Sequence, residues 1–213
     1  MPKSYALTEY ESKSLLNSYG LRTTREVIVH SSEEAVEEAK KLGFPVVLKV
    51  SGKEFAHKSD LGGVKLNLNN EGSVRNAASS LEKEFGGNPL LLSEQVESSR
   101  EFIAGVTRSE DYGLVLVFGI GGVFAEVIQD VIFRLLPATK NEIRSMFNEL
   151  THKDLLGQVR GELEIDIDEL VEALTSIGEC AMDREDILSI DVNPLLISDG
   201  VPIAVDALVE IYG

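Results

Sequence analysis

The stretch Val46-Val-Leu-Lys-Val-Ser-Gly-Lys-Glu-Phe-Ala-His-Lys-Ser-Asp-Leu-Gly-Gly-Val-Lys65 decides how the rest of the chain is read. Val46 to Val50 is a short apolar run between Pro45 and Gly52, the pattern of a buried strand. Lys49 interrupts it. A lysine in a buried strand is expensive unless an anion neutralises it. His57, Lys58, Ser59 and Asp60 follow, then the Gly62-Gly63 pair, which leads into a second predicted strand, Val64 to Leu68, with Lys65 near its start. Lys49, Lys53, Lys58 and Lys65 face only Glu54 and Asp60 in this stretch, although the whole chain carries a formal charge of −16. A local positive island in an acidic protein suggests a bound polyphosphate or carboxylate. The residues alone also allow a hairpin with a solvated basic tip.

Working outward, the chain has 213 residues, enough for a large core in one domain or two small lobes. The excess of 36 acidic over 20 basic side chains argues against nonspecific binding to nucleic acid or anionic membranes. The apolar runs are too short to span a bilayer, and the N-terminus lacks the apolar segment of a signal peptide. A lone cysteine, Cys180, leaves no internal disulfide, which fits a reducing, cytoplasmic setting; on an apolar helix stripe it reads as a buried structural thiol.

Thr8 and Glu11 form a capping-box pattern before a helix reaching about Tyr19. A strand at 26–29, a helix opened by Ser31 and Glu34, the 46–68 hairpin, a helix capped by Asn70 and a strand from Leu90 to Val96 complete the first part. Glu97-Ser-Ser-Arg100 is a polar break and a candidate lobe boundary. Strands are expected beyond it at 101–107, 113–118, 123–128 and 131–136, followed by a helix boxed by Thr139 and Glu142 and another capped by Asp166. Two final strands, 187–192 and 201–206, flank Asn193-Pro194 and a turn at Asp199-Gly200. The fold class is α+β in two lobes.

Four constellations could carry chemistry. Near Ser93-Glu94-Gln95-Val96, backbone groups at Val96 could read the edge of a flat base, Glu94 could accept from an exocyclic amine and Glu101 from a sugar hydroxyl; each residue is also ordinary surface. Gly119-x-Gly121-Gly122 joins two strands and could present main-chain N–H groups to an anion, or be a tight turn. Arg134 could grip phosphate bidentately or pair with Glu126 or Asp130. Asp191 and Asn193 share one side of a strand end, and with Asp206 they offer the oxygen ligands that Mg²⁺ prefers; the competing reading is an Asn-Pro turn and a helix-capping Asp206. Zinc-ligand spacing, a Gly-x-Ser-x-Gly elbow and a Gly-x-x-x-x-Gly-Lys-Ser/Thr loop are all missing from the sequence.

Together, His57-Lys-Ser-Asp-Leu-Gly-Gly-Val64, Gly121-Gly-Val-Phe124, Phe133-Arg-Leu135 and Asp191-Val-Asn-Pro-Leu195 resemble the ATP-grasp beta subunit of ADP-forming acetate–CoA ligases, in order and spacing and across nearly the whole chain. The resemblance implies an ATP-grasp fold with a small lobe at 25–96, a large lobe from 1–24 and 97–213, and a nucleotide cleft between them. It implies ATP/ADP and Mg²⁺ as ligands. Lys49 would bind phosphate, with Lys58, Gly62, Gly63 and Lys65 in the loop around it; Glu94 and Val96 would contact adenine and Glu101 the ribose. Asn193 and Asp206 would hold Mg²⁺, with Asp191 a less direct ligand. His57 would relay phosphate, and Arg134 would neutralise its charge during transfer. The implied partner is a CoA-binding alpha subunit in an α2β2 heterotetramer. A succinate–CoA ligase beta subunit is disfavoured by His57 and by the short C-terminus. An ATP-sensing subunit and the nucleotide-binding module of a protein acyltransferase are the other readings.

Overall fold

The computed structural model describes residues 4–52, 62–122, 128–159 and 162–213. The chain divides into two compact units. One comprises Met1–Leu7, Ser12–Thr23 and Glu97–Gly213; the other comprises Thr8–Glu11 and Thr24–Val96. The first turn of the N-terminal helix thus groups with the smaller unit.

The smaller unit is a four-stranded antiparallel sheet with two helices. Its strands are β2 (Glu26–Val29), β3 (Val46–Val50), β4 (Val64–Leu68) and β5 (Leu90–Glu94), in the order β2-β5-β3-β4. All five residues of β3 are buried. Val46, Leu48 and Val50 point into the core, where they meet Ala35, Val36 and Ala39 of α2 (Ser32–Leu42) and Val74, Ala78 and Leu81 of α3 (Glu71–Glu84). Strand periodicity of two sends Val47 and Lys49 to the other face. Both helices start where the sequence predicts. The Ser31 side chain accepts from the Glu34 N–H, and Asn70 and Ser73 bond reciprocally in a capping box. The strand expected to run to Val96 ends at Glu94.

The larger unit is built on a seven-stranded antiparallel sheet. Its strands are β1 (Ser4–Ala6), β6 (Glu101–Ser109), β7 (Gly113–Ile120), β8 (Val131–Leu135), β9 (Ile187–Ser198), β10 (Val201–Ala204) and β11 (Ala207–Tyr212). The order is β1-β11-β9-β6-β7-β8, with β10 also on β9. One face packs on α5 (Ile167–Asp183), α4 (Lys140–Met146) and the later turns of α1 (Glu9–Ser18), around Phe102, Phe118, Phe147, Leu170, Leu174 and Ile177. Phe118 stacks on Phe102 and meets Phe147 edge-on, each at 5.3 Å between ring centroids. Asp166 caps α5, and Thr139 with Glu142 boxes α4, as their spacing predicts.

Two expectations change here. Asn193-Pro194 does not turn the chain: β9 runs through it for 12 residues, because its neighbours Val192 and Leu195 are paired to β6 on either side of an irregularity that absorbs the proline. Asp206 caps no helix, since β11 follows it and pairs with β9 and β1. β1 escapes a reading by alternation because it has three residues and its partner lies at the other end of the chain, whereas β11 does alternate, with Ala207, Val209 and Ile211 buried. The strand expected at 123–128 falls, except for Ile128, outside the described residues, and Ile128 is not in a strand.

Candidate functional site

In the smaller unit, Lys49 is the focal side chain. β3 sits between β5 and β4, with Lys49 opposite Leu91 on one side and Val64 on the other. Only 7% of Lys49 is exposed. The anion that such a lysine requires is present within the protein: Glu9, also 7% exposed, accepts from Lys49 Nζ at 2.6 Å. Glu9 opens α1, whose start is fixed by the Thr8–Glu11 box, with the Thr8 N–H donating to Glu11 Oε2 at 2.8 Å and the Glu11 N–H to Thr8 Oγ1 at 3.2 Å. Beside Lys49, the Val50 N–H donates to the Gly63 carbonyl at 2.8 Å. Gly62, at φ +74°, takes the left-handed turn that precedes it, a conformation that favours glycine. Lys65 is half-buried opposite Leu48. His57 and Lys58 lie outside the described residues.

Glu94 ends β5 with its carboxylate engaged by Arg25. It accepts from the Arg25 N–H at 2.8 Å and from Arg25 Nε at 2.7 Å, and Nη2 lies 2.6 Å away. One carboxylate can accept about four hydrogen bonds, so capacity remains for a further donor. Val96 is half-buried just past the strand; among the described residues nothing pairs with its backbone. Its free main-chain groups are compatible with reading a flat polar edge.

In the larger unit, Glu101 starts β6 beside the glycine loop. The Gly121 N–H donates to the Glu101 carbonyl at 2.8 Å. A Cβ at Gly121 would lie 3.0 Å from the Phe102 carbonyl carbon, and one at Gly122, whose φ is +80°, would lie 3.4 Å from Glu101 Oε2. The glycines therefore let the loop close down on Glu101. Around them is a cavity of about 280 Å³ lined by Arg100, Glu101, Phe102, Gly121, Gly122 and Leu155, among others. Arg100 is buried and holds the connector in place: it donates to Glu162 at 3.0 Å, the Gly157 carbonyl at 3.0 Å and the Leu163 carbonyl at 2.5 Å.

The metal candidates lie on neighbouring strands of this sheet, Asp191 and Asn193 within β9 and Asp206 just before β11. Asp191 lies opposite Leu208, and Val192 opposite Ala207, so Asp206 sits just before the paired part of β11, next to the Asn193 level of β9. Asp191 and Asn193 are exposed and Asp206 is half-buried. The groove around the Asp191 carboxylate removes part of its hydration, and the Asp206 charge adds repulsion; both raise its pKa above the ordinary carboxylate value. Gly105 lies opposite Asp191, where a Cβ would stand 2.2 Å from the Ile190 carbonyl oxygen. Beneath the turn, the fully buried Lys13 donates to the Val205 carbonyl at 3.2 Å, one residue before Asp206. Among the described residues no three His, Cys, Asp or Glu side chains converge as a metal cage. Two carboxylates and an amide oxygen fit an ion that keeps several waters, as Mg²⁺ does.

Of the two partners expected for Arg134, only Asp130 is among the described residues, and Arg134 does not pair with it. Its Nη2 lies 2.5 Å from Glu149 and 3.4 Å from Ser145, while Nε is buried without a partner among the described residues. Glu126 lies outside those residues. Asp130 is otherwise engaged: it accepts from the N–H groups of Thr151 at 3.0 Å and His152 at 2.8 Å and contacts His152 Nδ1 at 3.0 Å. The turn after α4 brings Glu149 back beside β8, and a short-range reading of the sequence does not see it.

The structure adds Glu9, Arg25 and Gly105 to the residues singled out from sequence. Arg25 and Gly105 carried no distinguishing local pattern. Glu9 had a partial signal, since Lys49 demanded an anion.

These features have counterparts in known proteins. The sequence matches the ATP-grasp domain family over residues 2–211. It is 33% identical over 210 residues to acetate–CoA ligase (ADP-forming) I subunit beta of Pyrococcus furiosus, covering 94% of this chain and 90% of that one. It is 38% identical over 205 residues to acetate–CoA ligase (ADP-forming) II of Archaeoglobus fulgidus; the match takes in 96% of this chain but spans only 30% of that protein's length. Its structure superposes with a TM-score of 0.86, at 35% identity, on acetyl-coenzyme A synthetase 1 of Korarchaeum cryptofilum, covering 98% of this chain and 93% of that one. That structure holds coenzyme A and Mg-AMPPCP, with a phosphohistidine segment pointing towards the nucleotide binding site. The match over nearly the whole chain shows that it belongs to the ATP-grasp domain family, with the beta subunit of an ADP-forming acetate–CoA ligase among its relatives.

Proposed function

We propose that this chain is the nucleotide-binding subunit of an ADP-forming acyl-CoA synthetase, catalysing acyl-CoA + ADP + phosphate ⇌ carboxylic acid + CoA + ATP together with a CoA-binding subunit. The observation that carries the reading is Lys49, a cation on the central strand of the smaller unit beside the Gly62–Gly63 turn, in a chain that matches a beta subunit almost end to end. Phosphoryl transfer depends mainly on positioning and charge neutralisation. Lys49, with Lys58 and Lys65, would receive the phosphates of ATP or ADP. The free backbone at Val96 and the remaining acceptor capacity of Glu94 would read the adenine, and Glu101 would take the ribose at the glycine loop. Asn193, Asp206 and Asp191 would hold Mg²⁺, which when bound neutralises phosphate charge. Arg134 would act at the transferring phosphoryl group once freed from Glu149. His57 would carry phosphate between the partner and the nucleotide, since a neutral imidazole nitrogen is nucleophilic near pH 7.

The phosphohistidine segment of the Korarchaeum enzyme supports such a relay, and the beta-subunit relatives support a separate partner subunit, for which an α2β2 assembly is the simplest arrangement. Among the described residues no helix is long and apolar enough to cross a membrane, and we place the protein in the cytoplasm. The test is reconstitution with a CoA-binding subunit and labelled ATP. The chain alone should be nearly inactive in acyl-CoA synthesis, and the pair active. His57→Ala should lose turnover while keeping most nucleotide affinity. Full turnover without a partner would overturn the split-enzyme reading, and full turnover by His57→Ala would overturn the relay.

A further inference from the structure

We infer that Glu9 is a positioning residue that holds Lys49 in the ligand-free protein and competes with nucleotide phosphate for it. The inference rests on the nucleotide reading above. Lys49 projects from the non-core face of β3, and at 7% exposure its ammonium has lost most of its hydration. Glu9 replaces that hydration with a charge-assisted bond of 2.6 Å from a carboxylate that is equally buried. Glu9 and Lys49 are 40 residues apart, but both belong to the smaller unit. The Thr8–Glu11 box fixes the first turn of α1, so Glu9 is held against the lysine by a rigid element rather than by a loop.

The chemical consequence follows from the shared cation. An ammonium has three donors, and a phosphate oxygen can take one of them without the Glu9 bond breaking. The carboxylate is nevertheless an anion beside the place where the phosphates would sit. It keeps Lys49 oriented when no nucleotide is bound, and it repels the incoming phosphates. A carboxamide at position 9 keeps an acceptor for Nζ and removes the repulsion. A purely structural ion pair behaves differently: its loss lowers stability without raising nucleotide affinity.

Calorimetric titration of the full chain with ADP and ATP separates these cases. Glu9→Gln should bind nucleotide roughly tenfold more tightly than wild type, the scale of one nearby like charge at a partly shielded site. In a Lys49→Ala background the same substitution should leave affinity unchanged, because the cation for which Glu9 competes is gone. If Glu9→Gln fails to fold, Glu9→Asp, which keeps the charge but withdraws it by one methylene, should give a gain in the same direction and smaller. Unchanged or weaker binding by whichever of these folds, with wild type binding normally, overturns the role of Glu9 alone. Absence of nucleotide binding by wild type overturns both this inference and the function proposed above.

Discussion

The two charged places in this protein solve opposite problems. In the smaller unit, Lys49 is buried and already neutralised by Glu9 at 2.6 Å. In the larger unit, Asp191 lies exposed within β9, and partial loss of hydration around its carboxylate, with the nearby Asp206 charge, disfavours its ionisation. A desolvated cation must have its counterion built in, or the fold would not tolerate it. A carboxylate at the surface depends less on a built-in counterion, because water screens part of its charge. A buried site of this kind exchanges one ionic partner for another when a ligand enters.

The largest expected effect breaks the first half of that contrast. Lys49→Ala strands the Glu9 carboxylate in a buried place, which should cost about 3–5 kcal/mol of stability. Urea unfolding measures it, and removing Glu9 as well should recover part of the loss. A loss below about 1 kcal/mol would mean that the pair is effectively solvated and that the contrast does not hold. Nucleotide affinity should fall steeply in the same variant.

Next in size is Gly105→Ala. A Cβ there would meet the Ile190 carbonyl oxygen at 2.2 Å, a backbone atom that cannot simply swing aside. The strands must part, at about 3 kcal/mol, directly opposite Asp191. Thermal melts report the stability loss. Mg²⁺ titration should show weaker binding, since the carboxylate moves with its strand. Undiminished Mg²⁺ affinity in a clearly destabilised variant would detach Asp191 from the metal set.

Asp206→Ala comes third. It removes the half-buried carboxylate proposed to hold Mg²⁺, so Mg²⁺-dependent nucleotide binding should weaken roughly tenfold to a hundredfold while circular dichroism stays close to wild type. Full retention of Mg²⁺ dependence would exclude Asp206 as a ligand.

Much of this fold could be read from residue patterns, for identifiable reasons. The Ser31, Asn70, Thr139 and Asp166 caps act within four residues, and β3 is a continuous apolar run, so both signals are local. β1 was missed because it is three residues long and its pairing spans the chain, from Ser4 to Tyr212; β11 alternates from Ala207 to Tyr212 beside β9 and was open to a local reading. The proline in Asn193-Pro194 argued for a turn, but an irregularity between β6 and β9 accommodates it within a strand. Among the site residues, Lys49 was conspicuous because a charge in an apolar run demands an explanation, and its burial follows. Its actual counterion lies 40 residues away in sequence. Arg134 was read as a phosphate grip or as a partner of Glu126 or Asp130, and among the described residues it pairs with Glu149. Residue type exposes the need for a partner; only the three-dimensional path of the chain identifies it.

The smallest expected effect tests the second half of the contrast, through Asp191. Crowding around its carboxylate and the Asp206 charge raise its pKa in the folded protein. A raised value means that the folded state holds the Asp191 proton more tightly than the unfolded chain does. The stabilisation this gives is fully present below the unfolded carboxylate pKa and is lost as pH rises through the folded one. At neutral pH without divalent metal, the ionised Asp191 is therefore a small liability. Asp191→Asn should then raise the melting temperature slightly, by about one or two degrees. The gain should vanish in acid, below the ordinary carboxylate range, where the wild-type side chain is itself neutral. Added Mg²⁺ should reverse the ranking, because an ion that binds only the folded state stabilises wild type in proportion to its affinity and the variant has lost a charged ligand. Melting curves at neutral and acid pH, with Mg²⁺ and with chelator, give all four comparisons. A lower melting temperature for Asp191→Asn at neutral pH in chelator would show that the carboxylate is held by attraction in the absence of metal, and the two charged places would then be alike.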